Sequence, residues 1–118
     1  MLCPPHPEFL NSTFANLDAL RRAAKEPAVE IHPADARQRN ITGGQTVRVF
    51  NDRGSFLARA VVGETVKPGV VVTQGIWWNK HTADAVNCNT TTSTRLTDLG
   101  GGATFFDNLV QVETAAAR

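Results

Sequence analysis

The chain is poor in the groups that most often carry chemistry. Its three histidines, His6, His32 and His81, stand far apart, and none has a partner at the i+4 or Cys-x-x-Cys spacing of a metal site. Two cysteines, Cys3 and Cys88, make at most one bridge and no disulfide framework. Without a secretory signal, both thiols read as reduced and the compartment as cytoplasmic. A formal charge of +1 gives weak attraction to phosphate backbones, which argues against a nucleic-acid partner. No apolar run approaches the length of a membrane span, which argues against membrane insertion. The G-x-S-x-G elbow, the P-loop and G-x-G-x-x-G are all missing; "LGGGATFF" lacks the Lys-Ser/Thr pair and the following helix.

What is present describes a folded domain. Hydrophobic residues make up 42% of 118 residues and charged ones 19%, enough for one modest core. Pro4, Pro5 and Pro7 exclude a regular helix from the first ten residues. "NSTFANLDALRRAAKEP" places Leu17, Leu20 and Ala24 at helical spacing, with Asn16 or Asn11 as cap and Pro27 as stop. "AVEIH" reads as a strand with Val29 and Ile31 on one face. "HPADARQRN" reads as a short helix with Pro33 in its first turn and Asn40 in a left-handed end position.

"QTVRVFN" and "SFLARAVV" alternate with a period of two and are joined at "NDRG", a hairpin turn in which Gly54 is expected at positive φ. Pro68-Gly69 predicts another turn, "VVVTQGIWW" a strand buried on both faces, and "LVQVE" a last strand. Between these last two lie about thirty polar residues, a length that is functional or disordered in a compact domain. The pattern is mainly β with short helices, a barrel with helical decorations.

A binding face is the remaining candidate for chemistry. Asn11 and Ser12 follow a turn-rich start, Trp77 and Trp78 end a strand, and Asn87, Asn89, Thr90, Thr97, Asp98 and the glycines crowd one loop. Amides and hydroxyls hydrogen-bond a heterocycle directionally, and a carboxylate accepts from a guanine-like N–H pair. One tryptophan at most is expected to face a ligand. The same residues would also serve an ordinary polar loop, and residue types alone leave both readings open.

Five segments in order resemble a known family: "FLNSTFANL", "IHPADARQRNITGGQTVRVFNDRG", "VKPGVVVTQGIWW", "AVN" and "RLTDLGGGATFFDNLVQVE". They are similar to the C-terminal dinucleotide-binding domain of molybdopterin oxidoreductases, the superfamily of formate dehydrogenases and dimethyl sulfoxide reductase. The resemblance runs from about Pro5 to Glu113. It implies a double-psi β-barrel that binds molybdopterin guanine dinucleotide, with molybdenum or tungsten carried by the cofactor and no direct metal ligand from this chain. It places His6, Leu10, Asn11 and Ser12, then Trp77 and Trp78, then Asn87, Thr97 and Asp98 against the cofactor. "CNTTTST" departs from the family pattern, so Asn89 to Thr94 are not carried over.

The resemblance further implies one domain, 1–118, excised from the C-terminus of a longer oxidoreductase and inactive alone. Its partner would be the remaining domains or the catalytic subunit. A free-standing small subunit of the formylmethanofuran dehydrogenase type, and a cofactor-free barrel that binds peptides or proteins, are the alternatives.

Overall fold

The computed structural model describes residues 1–106 and 108–116. Its strands are β1 (Ala28–Ile31), β2 (Thr46–Phe50), β3 (Ser55–Val62), β4 (Val71–Val72) and β5 (Gln111–Thr114), and its helices α1 (Asp18–Ala24) and α2 (Pro33–Gln38). The strands form one sheet in the order β4-β1-β3-β2-β5, in which β1 and β3 run parallel and all other neighbours antiparallel. Period-two alternation explains which face is hidden. Val29 and Ile31, Val47 and Val49, and Phe56, Ala58 and Ala60 are buried together with Val112, Ile41 and Ala36. The sheet is curled, mainly β with few short helices.

Local chemistry ends α2 as expected. The Nδ1 of His32 accepts from the Ala34 amide at 3.1 Å, Pro33 stands in the first turn, and Asn40 takes φ 55°. The β2–β3 turn forms, but its glycine is needed for a different reason than predicted. Gly54 is absent from the positive-φ residues; a Cβ there would run into Thr90 Oγ1 and stand 2.9 Å from Thr90 O. Close approach of the polar loop, and not backbone handedness, requires the glycine.

Two further expectations are corrected. Helix α1 begins at Asp18 after Leu17, with no side-chain cap. Asn11 instead takes φ 54° in a turn, and Asn16 Oδ1 faces His81 Nε2 at 3.2 Å. The helix also stops before Pro27, where Lys25 turns to φ 69° and donates to Arg21 O.

"VVVTQGIWW" is a strand only over Val71–Val72, and these two residues are half-buried. Beyond them the chain pairs with the N-terminal segment: Leu2 N donates to Val71 O at 2.9 Å, Thr73 N to Leu2 O at 3.0 Å and Gly75 N to Pro4 O at 2.8 Å. Pro4 and Pro5 have no N–H to continue the ladder, and Gly75 turns away at φ 69°. At its other side the same segment reaches the approach to β5, where the Met1 nitrogen donates to Asn108 O. The N-terminal segment therefore spans the gap between the two edges of the sheet.

A second, smaller core lies beside the first. Phe9, Ala15 and Trp77 are buried there against Leu20 and Ala24 of α1. The Phe9 and Trp77 rings meet edge-on at 5.0 Å, and His6 stacks on Phe9 at 4.7 Å.

Candidate functional site

The polar loop after Trp78 is ordered by its own short-range bonds. It contains 3₁₀ turns at Asn79–His81 and Cys88–Thr91. Asp84 Oδ2 accepts from the Leu57 amide at 2.9 Å, satisfying the part of β3 that extends past β1. Asn87 Oδ1 accepts from Asn89 N at 3.0 Å, and its amide donates to Asn79 Oδ1 at 2.7 Å.

Beneath this loop lies a polar knot centred on the first residue of the "NDRG" turn. The Asn51 amide group donates to Thr91 O at 2.8 Å, Asn108 Oδ1 at 3.2 Å and Leu109 O at 3.1 Å. Its Oδ1 accepts from Arg53 N and Gly54 N. Asn108 donates on to Thr91 Oγ1 at 2.9 Å, which donates to Cys88 O at 2.8 Å. Asn108 and Thr91 are buried and fully partnered.

The knot and the N-terminal segment form the walls of a cleft of about 400 Å³. Asn11, Asn89 and Thr92 present amide and hydroxyl groups to it that have no side-chain partner among the described residues, and Phe105 and Phe106 present half-exposed rings 4.4 Å apart. No charged side chain lines it among the described residues. Cys3 and Cys88 form one end. The rings offer faces and the amides and hydroxyl offer directed hydrogen bonds, an arrangement that can take a flat polar ring. Nor do three or more His, Cys, Asp or Glu side chains come together as a metal site among the described residues.

The residues named from the sequence are distributed around this cleft unevenly. Asn11 lines it. Leu10 and Ser12 flank Asn11 in the same tight turn: Leu10 pairs with Thr13, and the Ser12 carbonyl accepts from Trp78 Nε1 at 2.6 Å. Asn87 sits directly behind the Cys88–Thr91 wall as its cap. His6 lies in the second core, where its Nδ1 accepts from Glu8 N and burial lowers its pKa despite the nearby Glu8 carboxylate. Trp77 is 4% exposed in that core, whereas Trp78 is 40% exposed with Lys80 Nζ 4.9 Å from its ring.

Thr97 and Asp98 belong to a separate small hairpin. Leu96 pairs with Ala103, Thr97 Oγ1 accepts from Gly102 N at 2.9 Å, and Gly100 and Gly101 turn the tip at positive φ. Asp98 is exposed on that tip, and no hydrogen-bond partner holds its carboxylate among the described residues. Of the lining residues, Cys3 was not named from the sequence as a site residue, Asn89 and Thr92 fell in the segment set aside, and Phe105 and Phe106 were read only as exposed apolar surface suited to a cofactor or a partner chain. The Asx turn at Asn87, whose Oδ1 accepts from the Asn89 amide, was the available signal for this wall.

His81 links the loop to α1. Arg21 Nη1 can only donate, so at 3.2 Å it donates to Nδ1, and Nε2–H is left for Asn16 Oδ1. Burial, Arg21 and Lys80 lower its pKa below the ordinary 6.5. The folded state thus binds this proton less readily than the unfolded chain. The stabilisation is complete above the ordinary histidine value and is lost as pH falls through the folded value. We expect the His81 ring resonances to titrate with a midpoint under 6.5, with the loop contacts to α1 weakening over the same range; a midpoint at or above it would contradict this geometry.

The curled β domain thus carries an amide- and aromatic-lined cleft beside its N-terminal segment. Residues 2–109 match the family described as the molydopterin dinucleotide binding domain, and the chain belongs to that family. It is 44% identical over 109 residues to the probable oxidoreductase YoaE of Bacillus subtilis, covering 92% of this chain and 16% of that protein. It is 38% identical over 108 residues to the dimethyl sulfoxide reductase DmsA of Escherichia coli, covering 88% and 13%. The acetylene hydratase of Pelobacter acetylenicus shares the fold, with a TM-score of 0.80 at 16% identity over 97% of this chain and 18% of that one. The chain thus spans about a sixth or less of the length of these curated relatives.

Proposed function

We propose that this domain covers one side of a molybdopterin guanine dinucleotide as the C-terminal part of a molybdenum or tungsten oxidoreductase. The observation that carries the reading is the cleft itself: unpartnered Asn11, Asn89 and Thr92 beside the Phe105 and Phe106 rings, in a chain of a dinucleotide-binding family. When bound, the cofactor supplies the metal and the redox chemistry; this chain binds, orients and shields it. By itself the chain turns over no substrate. The remaining domains, or a separate catalytic chain, complete the site, and exposed apolar residues such as Leu99 (92%) and Leu109 support such a contact.

The same reading makes the curled sheet the centre of a double-psi β-barrel. The parallel β1–β3 pair within antiparallel neighbours and the N-terminal segment spanning the sheet edges support this. The same reading puts the domain in the cytoplasm, where a reducing poise keeps Cys3 and Cys88 as thiols at rest.

Asp98, on its exposed tip, accepts the paired N–H groups of the guanine, and Asn11 contacts the pterin side. In an NMR titration, GDP shifts the amides of Asn11, Ser12, Asn87, Asn89 and Asp98 more than ADP does. Asp98→Asn reduces the guanine preference about tenfold, since a charge-assisted pair is replaced by an amide that donates where it must accept. Equal responses to GDP and ADP would remove Asp98 from the site, and scattered shifts would remove the cleft.

A further inference from the structure

Cys3 and Cys88 are separated by 85 positions in sequence, yet their sulfurs lie 3.5 Å apart. Both thiols also point at one acceptor, the carbonyl of Gly75, at 3.6 and 3.8 Å. Cys3 is half-buried on the strand-like N-terminal segment and lines the cleft; Cys88 is buried at the start of the 3₁₀ turn that forms the opposite wall. We propose that Cys3 and Cys88 form a reversible dithiol–disulfide pair, a site of oxidation by hydroperoxides that joins the two walls of the cleft.

The two sulfurs are not equivalent, and this sets the order of the chemistry. The Cys88 S–H can donate to Cys3, which lowers the Cys3 pKa; that same bond and burial push the Cys88 thiol up. Cys3 is also the more exposed of the two, half-buried where Cys88 is buried, so a hydroperoxide in the cleft meets it first; Cys3 is the nucleophile and Cys88 the resolving thiol. The Cys3 thiolate attacks the terminal oxygen of a hydroperoxide, the O–O bond breaks, and the alcohol leaves after taking up a proton. Cys3 is then a sulfenic acid. The Cys88 sulfur attacks the Cys3 sulfur as its own proton departs, the S–S bond forms, the S–O bond breaks, and water leaves. Two thiols have lost two electrons and two protons; the hydroperoxide has become alcohol and water.

Bond formation must draw the sulfurs from 3.5 Å to roughly 2.05 Å. The N-terminal segment is held by a few bonds to β4, and its approach narrows the cleft end that both residues line. This inference stands on the thiol geometry and does not depend on what the cleft binds.

The test is made on the polypeptide as its cell produces it. After brief exposure to hydrogen peroxide and alkylation, non-reducing peptide mapping should recover Cys3 and Cys88 in one cross-linked species, at least tenfold more abundant than either as sulfinic acid, and dithiothreitol should reverse it. In Cys88→Ser, Cys3 should be trapped by dimedone as a sulfenic acid. Separate over-oxidation of the two residues, or two intact thiols under conditions that consume added free cysteine, would overturn the proposal. The wild-type map decides the matter even where a serine variant folds poorly.

Discussion

Replacing Asn51 with leucine should lower the stability of the domain by about 2–4 kcal/mol, read as an earlier urea midpoint at unchanged slope. The side chain donates to Thr91 O, Asn108 Oδ1 and Leu109 O, and accepts from the amides of Arg53 and Gly54. Asn108 and Thr91 are buried, so their acceptors cannot turn to water when the donor is removed. Each buried polar group left alone costs roughly 1–3 kcal/mol. Asn51→Asp sharpens the test. It keeps shape and acceptor but substitutes a carboxylate for the donating amide, facing three other acceptors. We expect it to be as damaging as leucine; near-wild-type stability in Asn51→Asp would show that volume, and not hydrogen bonding, is what the position supplies.

Trp77→Ala should cost about 3–5 kcal/mol, whereas Trp78→Ala should cost roughly 1 kcal/mol. The two residues are adjacent and of the same type, in the irregular stretch beyond β4. Trp77 fills the second core between Phe9, Ala15 and α1, and truncating it leaves a cavity that the aromatic contacts cannot close. Trp78 loses one hydrogen bond to Ser12 O and the Lys80 contact at an exposed site. Chemical unfolding of the two variants side by side measures the difference. The second core also holds the turn that carries Asn11, so Trp77→Ala should reduce cofactor retention as well, and Trp77→Phe should restore much of both. Equal costs at the two positions would refute the assignment of Trp77 to the core.

The local rules were legible where short-range physics decides. Alternation in "QTVRVFN" and "SFLARAVV" revealed β2 and β3, and Pro33 with Asn40 bounded α2 to within a residue or two. They failed where a distant partner decides. Gly54 answers to Thr90, which no local turn rule contains. The apolar run after Pro68 leaves strand geometry early because its partner is the proline-bearing N-terminal segment. At the site, Asn11 was visible as an amide in a turn-rich stretch. Its meeting with Thr92, Phe105 and Phe106 was not, because that juxtaposition exists only once the segments come together. Which tryptophan faces inward was likewise beyond any pattern in two identical neighbours.

The bond from Met1 to Asn108 crosses 107 positions of the chain. Contacts of that span close late in folding, after the local hairpin and helices have formed, because the entropy of joining distant segments must be overcome first. During synthesis the ribosome still holds the residues of one wall long after the other has emerged. The cleft is therefore complete only when nearly all of these residues have left the exit tunnel, so ligand loading must follow translation of this domain and cannot accompany it.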